Sequence, residues 1–149
     1  MRTLLSLILI LNATLLVSSC KQGTESAEEQ QEENSPRVVR KMSENGKLSS
    51  LNPVDEQGYL NGVKVNFYED GVTVHSRVTY AHGRKHGPAI WYFKSGAIYE
   101  ETNYFQNRKN GVTRRYYETG ELYEETTYDT GVELPGKKRY AKDGTLITP

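Results

Sequence analysis

Four sets of side chains in this 149-residue chain have types and spacings that could do chemistry. His82 and His86 stand four apart in HGRKHG. On a helix that spacing clamps a metal ion. Here it falls in a loop, and no Asp or Glu lies within ten residues of either histidine, so a solvated turn is expected and no metal. Glu100-Glu101 and Glu124-Glu125 resemble acid pairs for proton transfer. Neighbours on a strand point to opposite faces, so neither pair makes a dyad. Arg84-Lys85 and Arg108-Lys109 recur 24 residues apart and could attract anionic lipid or acidic glycan. The bland role for such loop charges is to keep sheet edges apart in solution. Cys20, the single cysteine, excludes an internal disulfide and a Cys-based zinc cluster. No nucleophile triad or glycine-rich phosphate loop stands out. A non-enzyme with no cofactor is expected. Lys+Arg is 19 and Asp+Glu is 19, a balance that argues against a nucleic-acid partner.

The setting of Cys20 gives it a different chemistry. Residues 1–20 read MRTLLSLILILNATLLVSSC, with one charge at Arg2 and an apolar run from Leu4 to Val17. At about fourteen residues the run is short for a membrane span, which needs about 20. Small residues follow, as at a signal-peptide cleavage site. Val17-Ser18-Ser19-Cys20 resembles the lipobox of bacterial lipoproteins. That resemblance implies a signal peptide over 1–19, cleavage before Cys20, acylation of the cysteine and membrane anchoring. More than one acyl chain is needed for firm anchoring, at about 0.8 kcal/mol per buried CH₂. Lys21 stands where an Asp would signal inner-membrane retention in some bacteria, so the outer membrane is expected.

Beyond the cysteine, residues 21–34 carry five acids and one base and no apolar period. Composition of this kind cannot offset ordering entropy, so residues 20–57 are expected to be a lipidated, disordered linker. Its mean span would be roughly 35 Å.

From residue 58 the chain repeats itself. Gly71, Gly96, Gly120 and Gly144 are spaced 25, 24 and 24, and Gly62, Gly87, Gly111 and Gly136 are spaced 25, 24 and 25. Each of the first set closes an X-Gly pair between alternating segments, which is a strong hairpin signal. Two-residue turns would pair Phe93 with Ile98, Tyr92 with Tyr99 and Trp91 with Glu100. One unit later they would pair Tyr117 with Leu122, Tyr116 with Tyr123, Arg115 with Glu124 and Arg114 with Glu125. They would also set His75 opposite Asn66. In this register Tyr92, Tyr99, Tyr116 and Tyr123 share one face. All eleven tyrosines lie from Tyr59 onward, whereas seven of the thirteen leucines lie in the first twenty residues. Residues 58–149 are therefore expected to be all-β, an elongated antiparallel sheet of tandem β-hairpins with a thin core.

The segments HGPAIWYFKSGAIYEETNYFQNRKNG and NGVTRRYYETGELYEETTYDTG carry a further resemblance. They are similar to the bacterial variant of the MORN repeat (membrane occupation and recognition nexus). The resemblance implies β-hairpin repeats with a binding or scaffolding role and no shared catalytic residues. It implies a protein, glycan or anionic-lipid partner. Since bacterial members are often antitoxin-like, the alternative is an immunity protein that neutralises a toxin. Exposed aromatics suit binding because they offer large area with few rotors. Trp91, Tyr92, Tyr99, Tyr116 and Tyr123 are the candidate contacts, together with Arg84, Lys85, Arg108 and Lys109.

Overall fold

The structure is a computed structural model that describes residues 37–148. The expected signal peptide over 1–19, the expected lipidation site Cys20 and the expected linker as far as residue 36 lie outside the described residues. Twelve strands form one open sheet: β1 (Arg37–Met42), β2 (Leu48–Val54), β3 (Gly62–Phe67), β4 (Val74–Ala81), β5 (Arg84–Tyr92), β6 (Ile98–Phe105), β7 (Arg108–Lys109), β8 (Gly111–Tyr116), β9 (Leu122–Asp129), β10 (Val132–Glu133), β11 (Lys138–Tyr140) and β12 (Leu146–Thr148). Every pairing is antiparallel between sequence neighbours, or skips only the short β7 or β10. The expected fold class holds: tandem hairpins, laid side by side.

The repeat begins earlier than the composition implied. Residues 37–57, expected as the end of a disordered linker, form β1, β2 and two turns. Asn45-Gly46 is the first tip, 25 residues before Gly71. Averaging over the acidic stretch hides this hairpin. Locally, β2 has a partner strand on each side, and Val54 is buried. Five repeat hairpins are present, with tips near Gly46, Gly71, Gly96, Gly120 and Gly144.

The tips have three-residue loops, where two were expected, except for a longer loop at Gly71. The Phe93 amide donates to the Ala97 carbonyl at 2.8 Å, and the Gly96 amide donates to the Phe93 carbonyl at 2.9 Å. A type I turn followed by a left-handed residue closes this way, and Gly96 supplies it at φ 90°. The extra loop residue moves the register by one, so Tyr92 pairs with Ile98 and Tyr116 with Leu122. A bulge then restores it. Tyr99 and Tyr123 are the extra residues, and beyond them Trp91 faces Glu100, Arg115 faces Glu124 and Arg114 faces Glu125 as expected. At the longer Gly71 loop Asn66 faces Ser76, so the expected pairing with His75 fails by one residue.

On the opposite edge, type I′ turns join consecutive hairpins. His82-Gly83, Gln106-Asn107 and Thr130-Gly131 all have positive φ. Successive tips nest: the Asn107 amide donates to the Lys85 carbonyl at 2.9 Å, and the Gly131 amide donates to the Lys109 carbonyl at 2.8 Å.

Directly paired residues share a face, so the pairings define continuous rows. One runs Lys41, Ser50, Asn66, Ser76, Trp91, Glu100, Arg115, Glu124 and Arg139 across nine strands. Beside it on the same face runs Lys64, Val78, Ala89, Thr102, Thr113 and Thr126. Beyond Lys64 these residues are small and form the floor of a trough. Val78, Ala89 and the three threonines are at most 4% exposed. Thr102 and Thr113 hydrogen-bond to each other through their hydroxyls although their strands are not directly paired there. The core is thin and mostly polar: Val54, Val78 and Ala89 are its buried apolar residues among those described.

Candidate binding cleft

The trough is roofed by long side chains. Tyr104 and Tyr128 sit 24 residues apart, and each carries a lysine of the preceding type I′ turn against its ring. Lys85 Nζ lies 4.9 Å from the Tyr104 centroid and Lys109 Nζ lies 5.3 Å from that of Tyr128. Contacts of this kind contribute about 0.5–1 kcal/mol where exposed. Lys109 also donates to Glu100 Oε1 at 2.7 Å. Burial pushes the Tyr104 hydroxyl above its ordinary pKa.

Beside the lysines an ion ladder crosses four strands. Arg115 donates to Glu100 Oε2 at 2.7 Å and to Glu124 Oε1 at 3.1 Å, and Arg139 donates to Glu124 Oε2 at 2.9 Å. Glu100 and Glu124 are 7% and 5% exposed, so these partners are what make their burial tolerable. The hydrogen bond to Glu100 raises the pKa of Arg115. Burial would push Glu124 up, but the hydrogen bond from Arg139 and the nearby charges of Lys137 and Arg115 outweigh it and hold the carboxyl low. On the opposite face Arg114 Nε reaches Glu125 Oε2 at 3.0 Å, and the Tyr116 hydroxyl donates to Glu101. Burial and that bond push Tyr116 up to about 12. Each of the four glutamates that resembled an acid pair is therefore engaged by a structural partner.

The candidate aromatics do not form one surface. The bulges turn Tyr99 against Phe93 and Tyr123 against Tyr117, each edge-to-face at 5.2 Å. Tyr68 and His75 make the equivalent pair at 4.9 Å. Trp91 stands on the same face, 6.4 Å from Tyr104. Tyr92 and Tyr116 follow the alternation of Ile90 and Arg114 to the other face, so the expected four-tyrosine face is divided by the bulges. Hydroxyls tie neighbouring hairpins together: Tyr68 donates to the Tyr92 carbonyl at 2.6 Å and Tyr117 to the Tyr140 carbonyl at 2.9 Å. These rings act first as packing.

The repeated Arg-Lys pair is also divided, with a different outcome. Lys85 and Lys109 turn onto the trough, whereas Arg84 and Arg108 point to the other side of the type I′ edge. There they line a cleft of about 370 Å³ with Phe105, Gln106 and Thr130. Phe105 is 46% exposed and packs on His86, ring centroids 5.2 Å apart. Arg108 lies along the next tip: a β-carbon on Gly131 would stand 3.5 Å from Arg108 Cβ. Among the described residues no carboxylate pairs with Arg84 or Arg108. His82 and His86 diverge. His82 Nδ1 approaches Asp55 Oδ2 at 3.6 Å, a partner 27 positions away in the chain. No group of three or more His, Cys, Asp or Glu side chains converges among the described residues. The sequence reading missed Phe105, Gln106 and Thr130. Gln106 and Thr130 recur at the 24-residue spacing on adjacent tips, and aligning the units would have found them.

Residues 85–106 and 109–130 match the MORN repeat variant family. These two segments are the hairpins with tips at Gly96 and Gly120, and repeats of this family are generally binding or scaffolding modules. No curated protein and no solved structure matches the chain.

Proposed function

We propose that the chain is an exported lipoprotein, acylated on Cys20 and held at the bacterial outer membrane. There its repeat sheet acts as a non-enzymatic binding module for an envelope protein or glycan. The leader MRTLLSLILILNATLLVSSC supports the anchor. One observation carries the binding role. The acids of the sheet face are engaged in ion pairs and hydrogen bonds, while Arg84 and Arg108 stand unpaired beside an exposed Phe105. A pair of guanidinium groups without carboxylate partners beside exposed apolar area suits a partner from outside the sheet.

The test is photo-crosslinking in the native envelope. A crosslinking residue at Gln106 or Thr130 should give a discrete adduct, and one at the opposite tip, at Asp143, should not. Equal labelling from both edges, or none from either, would contradict the proposal.

A further inference from the structure

The chemistry of the cleft narrows the class of ligand. We propose that it binds a carboxylated sugar, with the acid group taken by Arg84 and Arg108 and the ring laid against Phe105. The proposal rests on the binding-module reading above and deepens it.

Three features select this ligand. A guanidinium is a planar fork that matches a carboxylate through two parallel hydrogen bonds. Arg84 and Arg108 occupy equivalent positions on adjacent type I′ hairpins, and both line the cleft. The stem of Arg108 runs past Gly131, where only a glycine leaves it full room: an added β-carbon would stand 3.5 Å from Arg108 Cβ. Next, Phe105 offers exposed ring surface, with His86 packed against the ring at 5.2 Å. A pyranose has a flat C–H face to lay on it. Last, Gln106 and Thr130 supply an amide and a hydroxyl to meet sugar hydroxyls. A lipid phosphate would use the cations and leave the ring and amide without a role. An acidic peptide would bring charge without a flat apolar face. The repeat also limits the site to one. The position equivalent to Arg108 on the following tip is Val132, so the row of cations ends there. A volume of about 370 Å³ lies in the range of small-ligand sites, about 300–1,000 Å³.

The experiment is calorimetric titration of the full-length protein, held in phosphatidylcholine nanodiscs, with oligogalacturonate. Matched titrations use its methyl-esterified form, phosphatidylglycerol vesicles and poly-glutamate. Oligogalacturonate should bind, and esterification should abolish binding. The double variant Arg84→Gln/Arg108→Gln should weaken it by about tenfold or more, and Phe105→Ala several-fold. A charge-matched control, Arg37→Gln/Arg40→Gln on β1, should bind as the parent does. Circular dichroism confirms that each variant is folded. Esterified ligand binding as tightly as the acid would overturn the proposal using the parent protein alone. So would a folded double variant with undiminished affinity, or vesicles or poly-glutamate binding through Arg84 and Arg108 while oligogalacturonate does not. Absence of sugar binding with adducts still forming from Gln106 and Thr130 would remove this inference and leave the binding module standing.

Discussion

Glu124→Gln tests the energetic logic of the sheet at its most connected residue. Glu124 accepts from Arg115 at 3.1 Å and from Arg139 at 2.9 Å while only 5% exposed. Hydrogen bonds to charged groups contribute about 1.5–3 kcal/mol each. Several facts reduce the loss. The Arg115 and Arg139 side chains are 34% and 46% exposed, so water can solvate them. Arg115 keeps Glu100, and glutamine still accepts one bond. The expected cost is about 1–2 kcal/mol. It should be felt unevenly, because β11 pairs with β9 at only two positions, Lys138 with Glu125 and Arg139 with Glu124. Repeat arrays open from their weakest interface. Amide exchange in β11 and β12 should therefore accelerate more than in β5 and β6. The pH dependence has a fixed sign. The folded-state pKa of Glu124 is held low, so its contribution is complete above its unfolded value and is lost as pH falls through the folded one. Urea unfolding should show the parent and the variant converging as pH drops below about 4.5. A stability change within about 0.5 kcal/mol, the range of an inert surface substitution, would refute the reasoning. So would a gap that stays constant down to strong acid.

Four further substitutions have expected outcomes. Tyr116→Phe should remove the last phenol to ionise in a spectrophotometric titration. The raised pKa means that the parent keeps this contribution below about pH 10 and loses it as pH climbs through about 12, so the variant should lack that alkaline loss. Gly96→Ala should destabilise by roughly 1–2 kcal/mol through positive-φ strain alone, since a β-carbon there meets nothing within 4 Å. Gly71→Ala should cost more in the same denaturation assay, because its β-carbon would stand 2.9 Å from Lys47 Cβ and 3.0 Å from the Leu48 nitrogen. Cys20→Ala should move the protein from the membrane fraction to the soluble one, and unchanged detergent partitioning would exclude the lipid anchor.

Much of this architecture is written in the glycine spacing. Gly71, Gly96, Gly120 and Gly144 mark tips because an X-Gly turn has few alternatives between alternating segments. Loop length is not written there, since a three-residue loop ending in glycine has the same X-Gly signature as a two-residue one. Trp91–Glu100 and Arg115–Glu124 were nonetheless legible, because the bulges at Tyr99 and Tyr123 cancel the shift that the loops introduce. The aromatic faces were not, since the same bulges redirect those two rings. The hairpin over Arg37–Val54 was hidden by its acidic neighbours, although Asn45-Gly46 kept the period. In the cleft, Arg84 and Arg108 stood out as repeated bases. Which base faces which side depends on the type I′ geometry at His82-Gly83 and Gln106-Asn107, and no residue type encodes that uniquely.

Cross-strand proton contacts in an NMR spectrum of the leaderless chain test the central claim most directly, that tandem hairpins close with three-residue loops and recover register through a bulge. The account predicts Tyr92 opposite Ile98 together with Trp91 opposite Glu100, and the same pattern 24 residues on at Tyr116–Leu122 and Arg115–Glu124. Contacts placing Phe93 opposite Ile98 and Tyr92 opposite Tyr99, with no extra residue at Tyr99, would contradict it.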